Sequence, residues 1–219
     1  ADLHVKLFID AEESWIQTTI DVLAYEMMEK FNKDEAIIFN TYQMYRVDML
    51  GNLTEAIQKA KEQSYNLGVK LVRGAYLEKE RQRAHEDEYS EPLHKDKAHT
   101  DFDFNAGMLT CLDNLEHVHC CIGTHNETSC KILIEEMEKR NIPHNHENIY
   151  FAQLLGMSDN ISYNLASVGY NVAKYVPYGP VESVMPYLFR RAEENSSIAG
   201  QTSREFTLLL NEVKRRKNA

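Results

Sequence analysis

Nine glycines occur among the 219 residues, and no two of them form a GxG pair. That excludes a dinucleotide-binding turn of the GxGxxG type, and no P-loop is present either. No CxxC pair exists among the four cysteines, Cys111, Cys120, Cys121 and Cys130, so reduced thiols are the simplest reading. His117, His119, Cys120, Cys121 and His125 crowd together, but no zinc spacing fits them, and strand alternation would split them between two faces. Uninterrupted apolar runs fall well short of the roughly 18 residues of a membrane span. Basic residues are outnumbered, 24 against 34, for a formal net charge of −10. That balance argues against a nucleic-acid partner, which selects a basic face. The opening ADLHVKLFID is neither a secretory signal nor an Arg-rich transit sequence. It begins on a strand-like run, as expected of a chain with an upstream segment.

Short β-rich runs alternate with longer helical patterns. The strand candidates are Val5–Ile9, Ala36–Asn40, Lys70–Tyr76, Val118–Gly123, Ile149–Gln153 and Val172–Pro177. Ile16, Ile20, Leu23, Met27 and Phe31 recur at helical spacing and predict one apolar stripe. Cys130, Ile134 and Met137 repeat the pattern, with Asn126 as the expected N-cap. Asn66-Leu67-Gly68 is expected to end a helix, Gly68 taking the left-handed C′ position. Lys79–Asp101, charged and weakly patterned, reads as a long loop. Strict alternation means parallel strands with crossover helices. Several strands end in polar clusters, Asp10-Ala-Glu-Glu, Asn40-Thr-Tyr-Gln, Arg73-Gly-Ala-Tyr and Thr124-His-Asn. Chemistry gathered at the carboxyl ends of many strands favours a barrel over an open sheet. Six strands leave the usual eight two short.

The richest stretch runs from Lys174 to Asn195. It predicts a strand, a turn at Tyr178-Gly179-Pro180, and a helix with Tyr187, Arg190, Arg191 and Glu194 on one face. Two adjacent guanidiniums there suit a carboxylate, because the planar fork binds it bidentately. The same spacing also suits a solvated charged face.

Together Phe8-Ile-Asp-Ala-Glu-Glu, Lys70-Leu-Val-Arg-Gly-Ala-Tyr-Leu-Glu, Gly123-Thr-His-Asn, Gln153-Leu-Leu-Gly-Met and Tyr187-Leu-Phe-Arg-Arg-Ala-Glu-Glu-Asn-Ser-Ser resemble proline dehydrogenase, above all its mitochondrial, monofunctional branch. The resemblance implies a distorted (βα)8 TIM-type barrel of the α/β class. Residues 1–219 would form a single catalytic domain running from about the third strand to the terminal helices, with the last helix over the barrel mouth. The missing strands would come from an upstream segment or a second chain. It further implies FAD as cofactor, L-proline as substrate, a quinone as electron acceptor, and a peripheral, matrix-side place on the mitochondrial inner membrane.

By the same resemblance Arg190 and Arg191 clamp the substrate carboxylate, while Leu71, Tyr76, Tyr175 and Tyr187 wall the ring pocket. Asp10 matches the active-site acid, although alone it also suits an N-cap. Lys70 matches the donor to the flavin N5 edge. Asn40, Arg73, Gly74, Ala75, Thr124, His125, Asn126, Gln153 and Glu194 match cofactor contacts. The family's substrate-pairing lysine on an earlier strand has no counterpart here. Hydroxyproline dehydrogenase is the close alternative, but it carries Ser where Tyr175 stands. A non-catalytic fragment unable to hold FAD is the third reading.

Overall fold

The computed structural model describes residues 5–197 and 201–217, with the side chains of 190, 192–197, 201–205 and 208 outside the description. Two compact units divide at Tyr175. The first runs β1 (Leu7–Ile9), α1 (Ser14–Phe31), β2 (Ile38–Gln43), α2 (Met49–Glu62), β3 (Leu67–Val72), α3 (Leu77–Glu86), α4 (Lys97–Leu112), β4 (Val118–Gly123), α5 (Glu127–Lys139), β5 (Ile149–Leu154), α6 (Asp159–Ser167) and β6 (Val172–Tyr175). The second holds α7 (Val181–Ser197) and α8 (Gln201–Lys217).

All six strands are parallel and lie in chain order, β1-β2-β3-β4-β5-β6. A doubly wound sheet would reverse order at a switch point, whereas sequential order is how a barrel is wound. The sheet is curled. The Lys6 ammonium lies 5.7 Å from the Phe39 ring on β2 and 4.9 Å from the Tyr150 ring on β5. In a flat sheet, strands three places apart would stand about 14 Å from each other.

Alternation along the strands separates two faces. One face carries Leu67, Val69, Leu71, Val118, Cys120, Ile122, Ile149 and Phe151 into the core beneath the helices. The other is the concave interior, where Thr41, Lys70, Cys121 and Tyr150 form one row in register. Cys120 and Cys121 thus fall on opposite faces, as alternation requires. Asn32, fully buried, joins the entry of two strands. Its Oδ1 accepts from the N–H groups of Ile37 and Ile38, at 3.0 and 2.8 Å, and its Nδ2 donates to the carbonyls of Ile38 and Asn66. Such a fully satisfied polar side chain fixes register without the cost of an unpaired buried amide.

The helix predicted from the first apolar stripe is present as α1, and two other expectations from the sequence are corrected. The stripe Ile16, Leu23, Met27 and Phe31 is exposed, and Ile20 is not among the buried residues of α1; Gln17, Ala24 and Met28 face the sheet instead. Beside them on that side of the helix, Asp21 and Tyr25 find polar partners on β2: Asn40 donates to Asp21, and the Tyr25 and Tyr42 hydroxyls meet at 3.0 Å. Gly68 lies inside β3 rather than at a helix end, since α2 stops at Glu62. A Cβ at Gly68 would come within 2.1 Å of the Ile38 carbonyl oxygen, so close strand approach demands the glycine. Lys79–Asp101 is mostly helical, belonging to α3 and the start of α4.

His119 shares the interior face with Lys70. Burial, assisted by the charge of Lys6, depresses its imidazole to about 4 from an ordinary 6.5. The unfolded chain then binds a proton below about 6.5 that the folded chain refuses until about 4, so stability falls as pH drops through that window. Each unit corresponds to about 1.4 kcal/mol, and partial solvent access reduces the total to about 1–2 kcal/mol. Urea midpoints of the full-length protein should therefore drop between pH 7 and 5, and His119→Gln should flatten that drop. Equal slopes for the two proteins would refute the assignment.

Candidate active site

Three strands contribute to one cluster at their carboxyl ends. Asp10 follows β1 directly, Lys70 sits on β3, and Tyr175 ends β6. Lys70 Nζ makes an ion pair with Asp10 Oδ1, and it lies 5.5 Å from the centroid of the Tyr175 ring. Curling is what lets one side chain meet groups on β1 and β6. An ammonium has three N–H donors, and among the described residues the Lys70 side chain donates only to Asp10. Two donors therefore remain for a ligand, beside an aromatic ring that is 41% exposed. A cation with unspent donors beside an aromatic ring fits a ligand that offers hydrogen-bond acceptors or negative charge. Cys121, beside Lys70 in register, has its thiol pushed up to about 12 by burial and is a packing group rather than a nucleophile.

Around this pair the connecting segments are tightly held. Tyr76 donates its hydroxyl to Glu12 Oε2 at 2.5 Å. Gln43, at the end of β2, donates from Nε2 to the Glu12 carbonyl at 2.8 Å and accepts the Ala75 N–H at 3.1 Å. Gly74 has φ of +138°, and a Cβ there would strike the Tyr45 ring at 2.4 Å. The close approach that calls for glycine is thus made by Tyr45. Gln43 stood in the polar strand-end cluster of the sequence without an assigned role, and the structure gives it one as the tie between the two segments.

Several other predicted residues lie on the helix side of the strand ends. Leu71 is fully buried in the core there, separated from Lys70 by alternation. Adjacent strand residues point to opposite faces, so Leu71 does not share the interior row with Lys70. Asn40 donates to Asp21 of α1 at 2.7 Å. The guanidinium of Arg73 binds Asp101 at 2.6 Å, Thr124 Oγ1 at 2.7 Å and Ser129 Oγ at 2.9 Å, and stacks on Phe104. Burial would raise the Asp101 carboxyl, but hydrogen bonds from Lys97 and Arg73 outweigh it and hold the group low. Gln153 joins the same region, donating to the Thr124 carbonyl and accepting from Ser162. His125 Nδ1 meets Ser158 Oγ at 3.0 Å. Asn126 caps α5 as expected, accepting from the N–H groups of Thr128 and Ser129. Arg73, Thr124 and Gln153 are thus bound to one another and to the scaffold.

In the second unit, α7 is helical through the predicted pattern, with Pro186 inside it. The Arg191 guanidinium lies 5.3 Å from the Tyr187 ring centroid, as i, i+4 spacing allows. The side chains of Arg190 and Glu194 lie outside the described residues.

Residues 1–204 match the family model described as proline dehydrogenase. Mitochondrial proline dehydrogenase 1 of Homo sapiens is 41% identical over 218 residues, covering 98% of this chain and 36% of that protein. The Drosophila melanogaster protein of the same name is 38% identical over 226 residues, covering 99% of this chain and 33% of its own length. Among solved structures, proline utilization A from Bdellovibrio bacteriovorus, inactivated by N-propargylglycine, superposes with a TM-score of 0.82 at 26% identity, over 89% of this chain and 20% of that one. The chain spans about a third of the length of the curated relatives it matches.

Proposed function

The chain belongs to the proline dehydrogenase family, and from that membership we propose that the whole protein oxidises L-proline to 1-pyrroline-5-carboxylate with FAD as its cofactor. The observation that carries this reading is the Asp10–Lys70 pair beside Tyr175, three family-matched positions brought together from distant strands. When bound, the flavin accepts hydride from the substrate's C5. The residues of this chain supply position and charge. Lys70 offers its remaining donors to the flavin edge where negative charge accumulates. Asp10 holds that ammonium in place, and Tyr175 supplies a wall for the pyrrolidine ring. The family match assigns the substrate carboxylate to Arg190 and Arg191, and Tyr187 lies beside Arg191 on α7. The imine forms from the neutral amine, so the ring nitrogen must be unprotonated when hydride leaves.

Electrons pass on to a quinone, and the enzyme works in the mitochondrion, as the names of its relatives suggest, held at the inner membrane from the matrix side. No helix among the described residues is long and apolar enough to cross a membrane. The strands that complete the barrel come from an upstream segment or a second chain. Anaerobic addition of L-proline to the purified full-length protein should bleach its flavin absorbance. Proline should do so at lower concentration than trans-4-hydroxyproline, because Tyr175 fills the space a ring hydroxyl needs. A flavin that neither compound bleaches would overturn the reading, and one bleached better by hydroxyproline would reassign the substrate.

A further inference from the structure

The segment joining β1 to α1 docks on the third strand unit through every second residue. Asp10 pairs with Lys70, Glu12 accepts from the Tyr76 hydroxyl, and Ser14 binds Glu80. β1 and β3 are not neighbours in the sheet, so this strap crosses the end of β2. Its last anchor is unusual. Ser14 is the first residue of α1, whose own N-cap, Glu13, makes no side-chain cap. The cap comes instead from α3: Ser14 N–H donates to Glu80 Oε1 at 2.6 Å and Ser14 Oγ to Oε2 at 2.7 Å. Glu80 is fully buried. A carboxylate suits that place, since a helix N-terminus presents unsatisfied N–H groups and a partial positive charge.

We propose that Glu80 is a positioning residue: by capping α1 from another helix it fixes the strap from Asp10 to Ser14, and with it the Asp10 carboxylate that holds Lys70. Tyr76 and Glu80 are one helical turn apart, so α3 grips the strap at two points while Lys70 engages its start. The effect on turnover rests on the proposed role of the Asp10–Lys70 pair, whereas the clamp itself does not.

In the full-length enzyme at equal flavin occupancy, Glu80→Ala should lower kcat about tenfold to a hundredfold, as small misplacements of catalytic groups do, with little change in KM for proline. Glu80→Gln, which keeps an acceptor for the Ser14 N–H, should restore most of that loss. Hydrogen exchange at the amides of residues 12–14 should quicken in Glu80→Ala and stay slow in Glu80→Gln. Ser14→Ala deletes only the hydroxyl bond and should move both readouts the same way by less, which keeps the test open if Glu80→Ala does not fold. Parent-like exchange in both alanine variants would overturn the clamp. Parent-like kcat together with quickened exchange would overturn the positioning role. A parent enzyme whose flavin proline cannot reduce would count against the functional reading, while exchange would still decide the clamp.

Discussion

Lys70→Met in the full-length protein is expected to slow reduction of the flavin by proline about a hundredfold to a thousandfold, the usual consequence of deleting one preorganised donor at a site of developing charge. The ammonium has a carboxylate on one side and the Tyr175 ring on another. The substitution also strands Asp10 without its partner, which adds to the loss. Lys70→Arg keeps the charge and should recover part of the rate, limited by the different shape of the donor. Single-turnover kinetics under anaerobic conditions measure this step apart from reoxidation. An unchanged rate constant in the methionine variant would remove Lys70 from the chemistry.

Residues 1–219 expressed alone are expected to aggregate and to lack proline-oxidising activity. β1 is a three-residue edge strand with Leu7 and Phe8 exposed, and an unpaired edge invites association. Beside it α1 exposes Ile16, Val22, Leu23, Met27 and Phe31. Fully burying a side chain of this kind is worth about 1.5–3 kcal/mol, so leaving five partly uncovered compares with a whole net stability of about 5–15 kcal/mol. Replacing Ile16, Leu23 and Met27 by Lys or Glu should recover soluble, still inactive protein. Sedimentation of the unmodified chain as a cooperatively folding monomer would show that these faces need no cover.

The exposed stripe also marks how far the sequence could be read. Its helical period is correct and its helix exists, but period alone says only that something covers that face, not which neighbour does. The sheet-facing side of α1 carries Gln17, Ala24 and Met28, a set with little apolar signal, and beside them Asp21 and Tyr25 find their partners in Asn40 and Tyr42 on β2. Gly68 was misread for a similar reason. A glycine after a polar helical run signals a C-cap locally, while the demand actually comes from the backbone of β2, 30 residues away in sequence.

Local chemistry was enough for much else. Strand and helix alternation, the lack of any GxG turn, the N-cap at Asn126 and the helical spacing of Tyr187 with Arg191 follow from neighbours within a few residues, and the sequence determined all four. It also determined which residue types stand at the strand ends, Asp10, Lys70 and Tyr175 among them. Only the tertiary structure decided that these three meet, that Leu71 turns away from Lys70, and that Glu80 caps a helix 66 residues before it. Strands of a parallel sheet are buried on both faces, so their apolar runs carry no alternation from which to choose the interior side. Curvature then brings β1, β3 and β6 within reach of one another, and curvature is a property of the whole sheet that no window of sequence contains.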